Sequence, residues 1–118
     1  MIILHLVPKT EFEGAPVDEP FLAAHYAADG FTHCTAGWDV LSHVANNVYR
    51  HTPGDFIVLE IETERVTAPV RFEAPVPPPP ADHPLAGHLF PHIYGPINRD
   101  AIERVTSVRR AEDGAFIF

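Results

Sequence analysis

Between Ala74 and His88 the chain carries Pro75, four consecutive prolines from Pro77 to Pro80, and Pro84. No helix or central strand tolerates that density of residues lacking a backbone N–H. An extended loop must therefore separate the elements before it from those after it. Its P-x-x-P pattern is also the form that proline-reading domains bind. A proline-stiffened loop inside one domain is the better reading, because such loops recur in compact domains and the chain has only 118 residues. That length suits one hydrophobic core, so a single domain over 1–118 is expected, with no internal repeat.

The hydrophobic fraction of 46% with 20% charged residues is a globular composition. Eight Lys and Arg against 16 Asp and Glu give a net charge of −8, and eight histidines would cancel it if all were protonated. A nucleic-acid duplex or an anionic membrane needs a basic footprint, so neither is the expected partner. A small-molecule ligand is. The single cysteine, Cys34, excludes an intramolecular disulfide and fits a reducing cytoplasm. The opening Met1 to Val7 has no basic lead and no small-residue cleavage site, so it does not read as a signal peptide. No apolar stretch approaches the roughly 20 residues of a membrane-spanning helix. The oligomeric state is open at this level.

Ile2 to Val7 is apolar and stopped by Pro8, which predicts a buried strand with His5 facing opposite Leu4 and Leu6. Thr10-Glu-Phe-Glu13 has capping-box spacing and predicts a short helix; Asp18 to Asp29, closed by Gly30, predicts another. Phe31 to Thr35 reads as a short strand. A longer helix is expected from about Ala36 to Arg50, capped by Thr35, with Trp38, Leu41, Val44, Ala45, Val48 and Tyr49 on its apolar face. His43, Asn46 and Asn47 fall on the opposite, solvated face. Asp55 to Thr63 and Val70 to Glu73 read as strands, the first with Glu60 and Glu62 facing water and the second with Arg71 and Glu73 on one face. A helix over Asn98 to Val105 and a hairpin turning at Glu112-Asp113-Gly114 complete an α+β fold.

No dinucleotide fingerprint, P-loop, H-E-x-x-H or paired C-x-x-C is present, so chemistry must come from scattered residues. His5, His33 and His92 stand out, because each is an imidazole in an apolar setting. One such residue is usually a core-edge histidine bonded to a carbonyl; three ask for a shared reason. Cys34 reads as a small packed hydrophobe, and the His88/His92 spacing as accidental, since Pro91 interrupts any helix there. His25, His51, His83 and His88 lie near helix ends or in the proline-rich loop, where solvation is the default.

Gly30-Phe-Thr-His-Cys-Thr35 resembles the G-F-I-H-C-S signature of the bacterial domain of unknown function 952 family, and Phe90-Pro-His-Ile-Tyr-Gly95 resembles its F-P-H-I-Y-G signature. Ala45 to Tyr49 is similar to the family's A-N-x-x-Y and Val70 to Glu73 to its L-R-Y-E. The resemblance runs in order along almost the whole chain, with Thr32 and Thr35 replacing the usual Ile and Ser. The family in turn resembles a small, distant relative of the ADP-ribosyltransferase fold, an α+β split sheet around a cleft for a nicotinamide dinucleotide. That likeness implies NAD as a substrate and a set of roles. His5 would hold a ribose hydroxyl, and His33 with Thr35 would seat the nicotinamide ribose. Glu73 or His92 would stabilise the oxocarbenium-like charge as the glycosidic bond breaks. Arg71 would face the pyrophosphate, and Tyr49 or Tyr94 would stack on a ring.

Three classes of function follow. The first is an enzyme acting on NAD or another phosphorylated nucleotide-like ligand through His5, His33, Glu73 and His92. The second is a non-catalytic nucleotide-binding module with the same cleft. The third is a metal site formed by His5, His33 and His92.

Overall fold

The computed structural model describes residues 1–75 and 77–118; the loop reading above also covers Val76, which lies outside the described residues. Strand β1 (Ile2–Pro8) is buried from Ile3 to Val7. It pairs antiparallel with β3 (Phe56–Glu62) from Ile2↔Glu62 to Pro8↔Phe56, and β3 pairs in turn with β6 (Ile102–Ser107). A second antiparallel sheet has the order β2 (Thr32–His33), β5 (Phe90–Ile93), β4 (Val70–Glu73). The backbones of the two sheets are bridged where Leu4 and Thr35 exchange both hydrogen bonds at 2.8 and 2.7 Å.

The apolar runs of β1 and β3 are explained by burial on both faces. Ile3 and Val7 join Ile57, Leu59, Ile61, Phe21, Ile93 and Ile97 in one cluster. Leu4 and Leu6, on the other face, pack with Phe56, Val58, Leu41, Ala45 and Phe116. Strand β4 and the terminal hairpin of β7 (Arg109–Arg110) and β8 (Phe116–Ile117) lie where the sequence reading puts them. Glu60 and Glu62 are less exposed than expected: Thr106 Oγ1 donates to Glu60 at 2.6 Å, and the N-terminal amine donates to Glu62 at 2.8 Å.

Three expected helices are altered, each by contacts distant in sequence. Around residue 20, Phe21 exchanges backbone bonds with Ile97, both 2.8 Å, so only the turn α2 (Tyr26–Asp29) is helical. Thr35 does not cap the next helix, because its backbone is committed to Leu4. The chain turns at Gly37, with φ of 99°, before α3 (Trp38–Val44) begins. From Ala45 to Tyr49 the helix widens into a π-helical turn. Leu41 and Ala45 are buried, but Trp38 and Val48 are exposed, so the expected apolar face does not hold along its length. Asn46 is not solvated either: its amide accepts from the Phe116 N–H at 2.7 Å and donates to the Phe116 carbonyl at 3.3 Å. Finally, Asn98 to Val105 is not a helix. One 3-10 turn, Arg99–Ala101, leads into β6, because β3 offers a free edge and the β-branched Ile102, Val105 and Thr106 suit it. The short helix α1 (Lys9–Gly14) forms without the capping-box bond.

Candidate functional site

Strand register builds the site. In the second sheet His92 of β5 lies directly opposite His33 of β2 on one side and Arg71 of β4 on the other, and Phe90 lies opposite Glu73. Directly paired residues of antiparallel strands share a face, and so do residues two apart. Two imidazoles, a guanidinium and a carboxylate therefore occupy one face of a three-stranded sheet.

His92 is the most constrained of them. Its side chain is only 3% exposed, its ring stacks on Phe31 with centroids 4.1 Å apart, and its Nδ1–H donates to Glu73 Oε1 at 2.9 Å. The Tyr94 hydroxyl donates to the same carboxylate oxygen, and the Arg71 guanidinium lies 5.1 Å from the centre of the Tyr94 ring. The Tyr94 and then the His92 hydrogen bonds hold the Glu73 carboxyl below its ordinary pKa, and the carboxylate raises that of Tyr94. With Nδ1 committed, Nε2 is the nitrogen that His92 has left to offer a ligand.

His92 lines a cavity of about 460 Å³. Its other walls come from His25, Asp29, His33 and Thr35 around α2 and β2, and from Val44, Asn47, Val48 and Tyr49 at the π turn. The proline-rich segment closes it with Pro75, Pro77, Pro79, His83 and Leu85. The widened helical turn is what presents Asn47 and Tyr49 to this space, a frequent use of such irregularities.

Of the residues singled out from sequence, His33, Thr35, Tyr49 and His92 line the cavity. Glu73 and Tyr94 stand behind His92, and Arg71 is exposed beside them. His5 is 2% exposed and also outside the lining; its Nδ1–H donates to the His33 carbonyl at 2.7 Å. Burial, its largest influence, depresses the His5 pKa to about 4 against the opposing effect of that bond. His5, His33 and His92 do not converge as metal ligands. Among the described residues, the group whose donor atoms all lie within 4.8 Å of one another is His25, Asp29 and His33. The sequence marks Asp29 only as a helix end, and His25 as a solvated histidine near one. The four-residue spacing of His25 and Asp29 was the available signal, since such residues share a helical face, whereas His33 lies beyond Gly30 on β2 and joins them only through the fold. Cys34 is buried, which raises its thiol pKa and fits a packed hydrophobe.

No helix among the described residues is long and apolar enough to cross a membrane. No curated protein matches the chain. Among solved structures, the fold is similar to that of CC0527 from Caulobacter crescentus. Its crystal structure aligns with a TM-score of 0.78 at 24% identity, covering 99% of this chain and 94% of that one. The solution NMR structure of the same protein aligns at 0.71, covering 96% and 89%. That likeness establishes a small α+β fold of antiparallel sheets with few helices. Residues 6–105, which include both signature segments and every residue of the histidine face, match the model described as a protein of unknown function, DUF952. The chain belongs to the domain of unknown function 952 family.

Proposed function

We propose that the chain is an enzyme acting on a nucleotide-like small molecule, with His92 as its proton-transfer group. The observation that carries this reading is the hydrogen bond from His92, in the cavity wall, to Glu73 behind it. A carboxylate on Nδ1 sets the tautomer and orients the ring, so that Nε2 holds a lone pair ready to accept a proton from an attacking hydroxyl or water. Glu73 acts through His92 as a positioning residue, and Tyr94 fixes the carboxylate in turn.

The cavity volume falls within the range of small-ligand sites, and its apolar and aromatic walls, Tyr49, Phe90, Leu85 and the prolines, suit a planar base and a sugar. Neither Lys nor Arg is among its described lining residues, so a phosphate would sit at the margin, toward Arg71 next to His92 in the sheet. The split into two three-stranded sheets joined at Leu4 and Thr35 supports the kinship with ADP-ribosyltransferases, and with it cleavage or transfer at a glycosidic bond.

Titration calorimetry with NAD, ADP-ribose and a 2′-phosphorylated nucleotide, paired with mass spectrometry of the products, tests the reading. Binding of one of them is expected, with turnover lost in His92→Asn while binding persists. No binding of any, or turnover indifferent to His92, overturns it.

A further inference from the structure

Beside His92, the cavity wall holds a second group of polar side chains, and nothing in the proton-transfer reading uses it. His25 flanks the N-terminal end of the single turn α2, Asp29 ends that turn, and His33 follows on β2. Their donor atoms all lie within 4.8 Å of one another. His33 Nε2 and Asp29 Oδ2 are 3.0 Å apart, and the His25 and His33 rings are 5.3 Å apart between centroids.

Two explanations compete for this cluster. As an ordinary hydrogen-bonded group, the His33–Asp29 pair has side chains 43% and 39% exposed, and such a pair contributes little to stability. It also leaves His25 unexplained, because that ring's Nε2 is buried and has no hydrogen-bond partner among the described residues. A buried polar atom without a partner costs about 1–3 kcal/mol, and native structures rarely retain one without a reason.

As a cation site, the same residues form a coherent set. Two imidazoles and one carboxylate are a common three-ligand set for a divalent transition metal. Bonds of about 2.0 Å in a tetrahedron place neighbouring donors about 3.3 Å apart, close to the 3.0 Å of the His33–Asp29 pair. The surroundings restrict the ligands: Phe31 packs 4.6 Å from the His33 ring, and the His33 carbonyl is tied to His5. The protein's net charge of −8 favours cations over anions in general.

We propose that His25, Asp29 and His33 bind one divalent transition cation, zinc fitting the donor set best, with its open coordination position toward the cavity. An ion there has three protein ligands and room for a water or a substrate oxygen, the arrangement of reactive rather than structural zinc. The proposal does not rest on proton transfer by His92, although His33 and His92 are neighbours in the sheet with rings 5.5 Å apart.

The test uses untagged protein stripped with a chelator and exchanged into metal-free buffer. Zinc is titrated in competition with a chromophoric chelator, and cobalt(II) is titrated in parallel to read the ligand-field spectrum. One equivalent of each is expected to bind, with a tetrahedral cobalt spectrum. His25→Gln and His33→Gln should each weaken zinc by about 100-fold or more, and Asp29→Asn by at least about tenfold. His83→Gln, which alters another cavity histidine outside the cluster, should bind as the parent does. Circular dichroism and thermal melts in chelator establish that each variant is folded, and Asp29→Asn, at an exposed position, serves if a histidine variant is not. Binding that is substoichiometric, or that is unchanged in the folded variants of the three ligands, overturns the proposal.

Discussion

At the scale of single residues, the histidines separate by what their nitrogens can reach. His92 and His5 each donate one N–H to a fixed acceptor, Glu73 in one case and the His33 carbonyl in the other. Only His92 lines the cavity, so the two have different consequences. His5 is sealed in the core, and its cost appears in stability. Its pKa is about 4 when folded and about 6.5 when unfolded, so the unfolded chain binds the additional proton between those values. Stability should therefore rise with pH across that window and be complete above it, the full effect amounting to about 3 kcal/mol. Urea titrations in chelator from pH 4 to 7 should show this slope, and His5→Asn, which retains a donor for the carbonyl, should flatten it; parallel curves for the two proteins would exclude the assignment. Gly114 is a simpler case. At φ of 90°, a Cβ there would lie 2.1 Å from the Arg50 carbonyl oxygen. Gly114→Ala should cost more than about 1 kcal/mol in chemical denaturation, with the loss centred on the terminal hairpin.

At the scale of elements, the strands were the most legible part of the sequence. In β1, β3 and β4 apolar runs or alternation are local properties, and the pairing partners confirm them without moving their ends by more than a residue. Helices fared differently, because their ends depend on backbone groups engaged elsewhere. Thr35 has the chemistry of a helix cap, yet Leu4 takes its N–H and carbonyl. The stretch 98–105 has helical spacing, yet the edge of β3 offers more hydrogen bonds than an isolated two-turn helix could make in water. Asn46 is the position where a residue assigned to solvent acts in structure instead, joining the π turn to β8 through both amide groups. Asn46→Ala would leave the Phe116 N–H without that partner. A loss of about 1–3 kcal/mol is expected, visible as a lower thermal midpoint, while Asn47→Ala, at an exposed position in the cavity wall, should leave the midpoint nearly unchanged.

At the scale of the whole molecule, the cavity is a product of closure. Its walls come from α2 and β2, from the π turn, from β5 and from the proline-rich segment, which are separated by long stretches of chain. The prolines matter here as a wall with little conformational freedom, so that less order must be gained when a ligand enters. Replacing residues 77–84 by a Gly/Ser segment of equal length leaves all strands of both sheets intact. The thermal midpoint should move little, and an apolar fluorescent dye should gain access to the exposed cavity. A large cooperative loss of structure would instead place this segment in the core.

The sequence by itself determined the family, the strands built on apolar patterning and the terminal hairpin, and it singled out His33 and His92, which line the cavity, because periodicity and signature residues are carried by neighbours in the chain. It could not determine which groups meet. Register alone sets His92 between His33 and Arg71, and a backbone bridge between Leu4 and Thr35 links the sheets. His25 and Asp29 come within reach of His33 only when α2 is brought against β2 at the cavity wall. Those outcomes rest on hydrogen bonds and packing between distant segments, which are settled when the chain closes on itself.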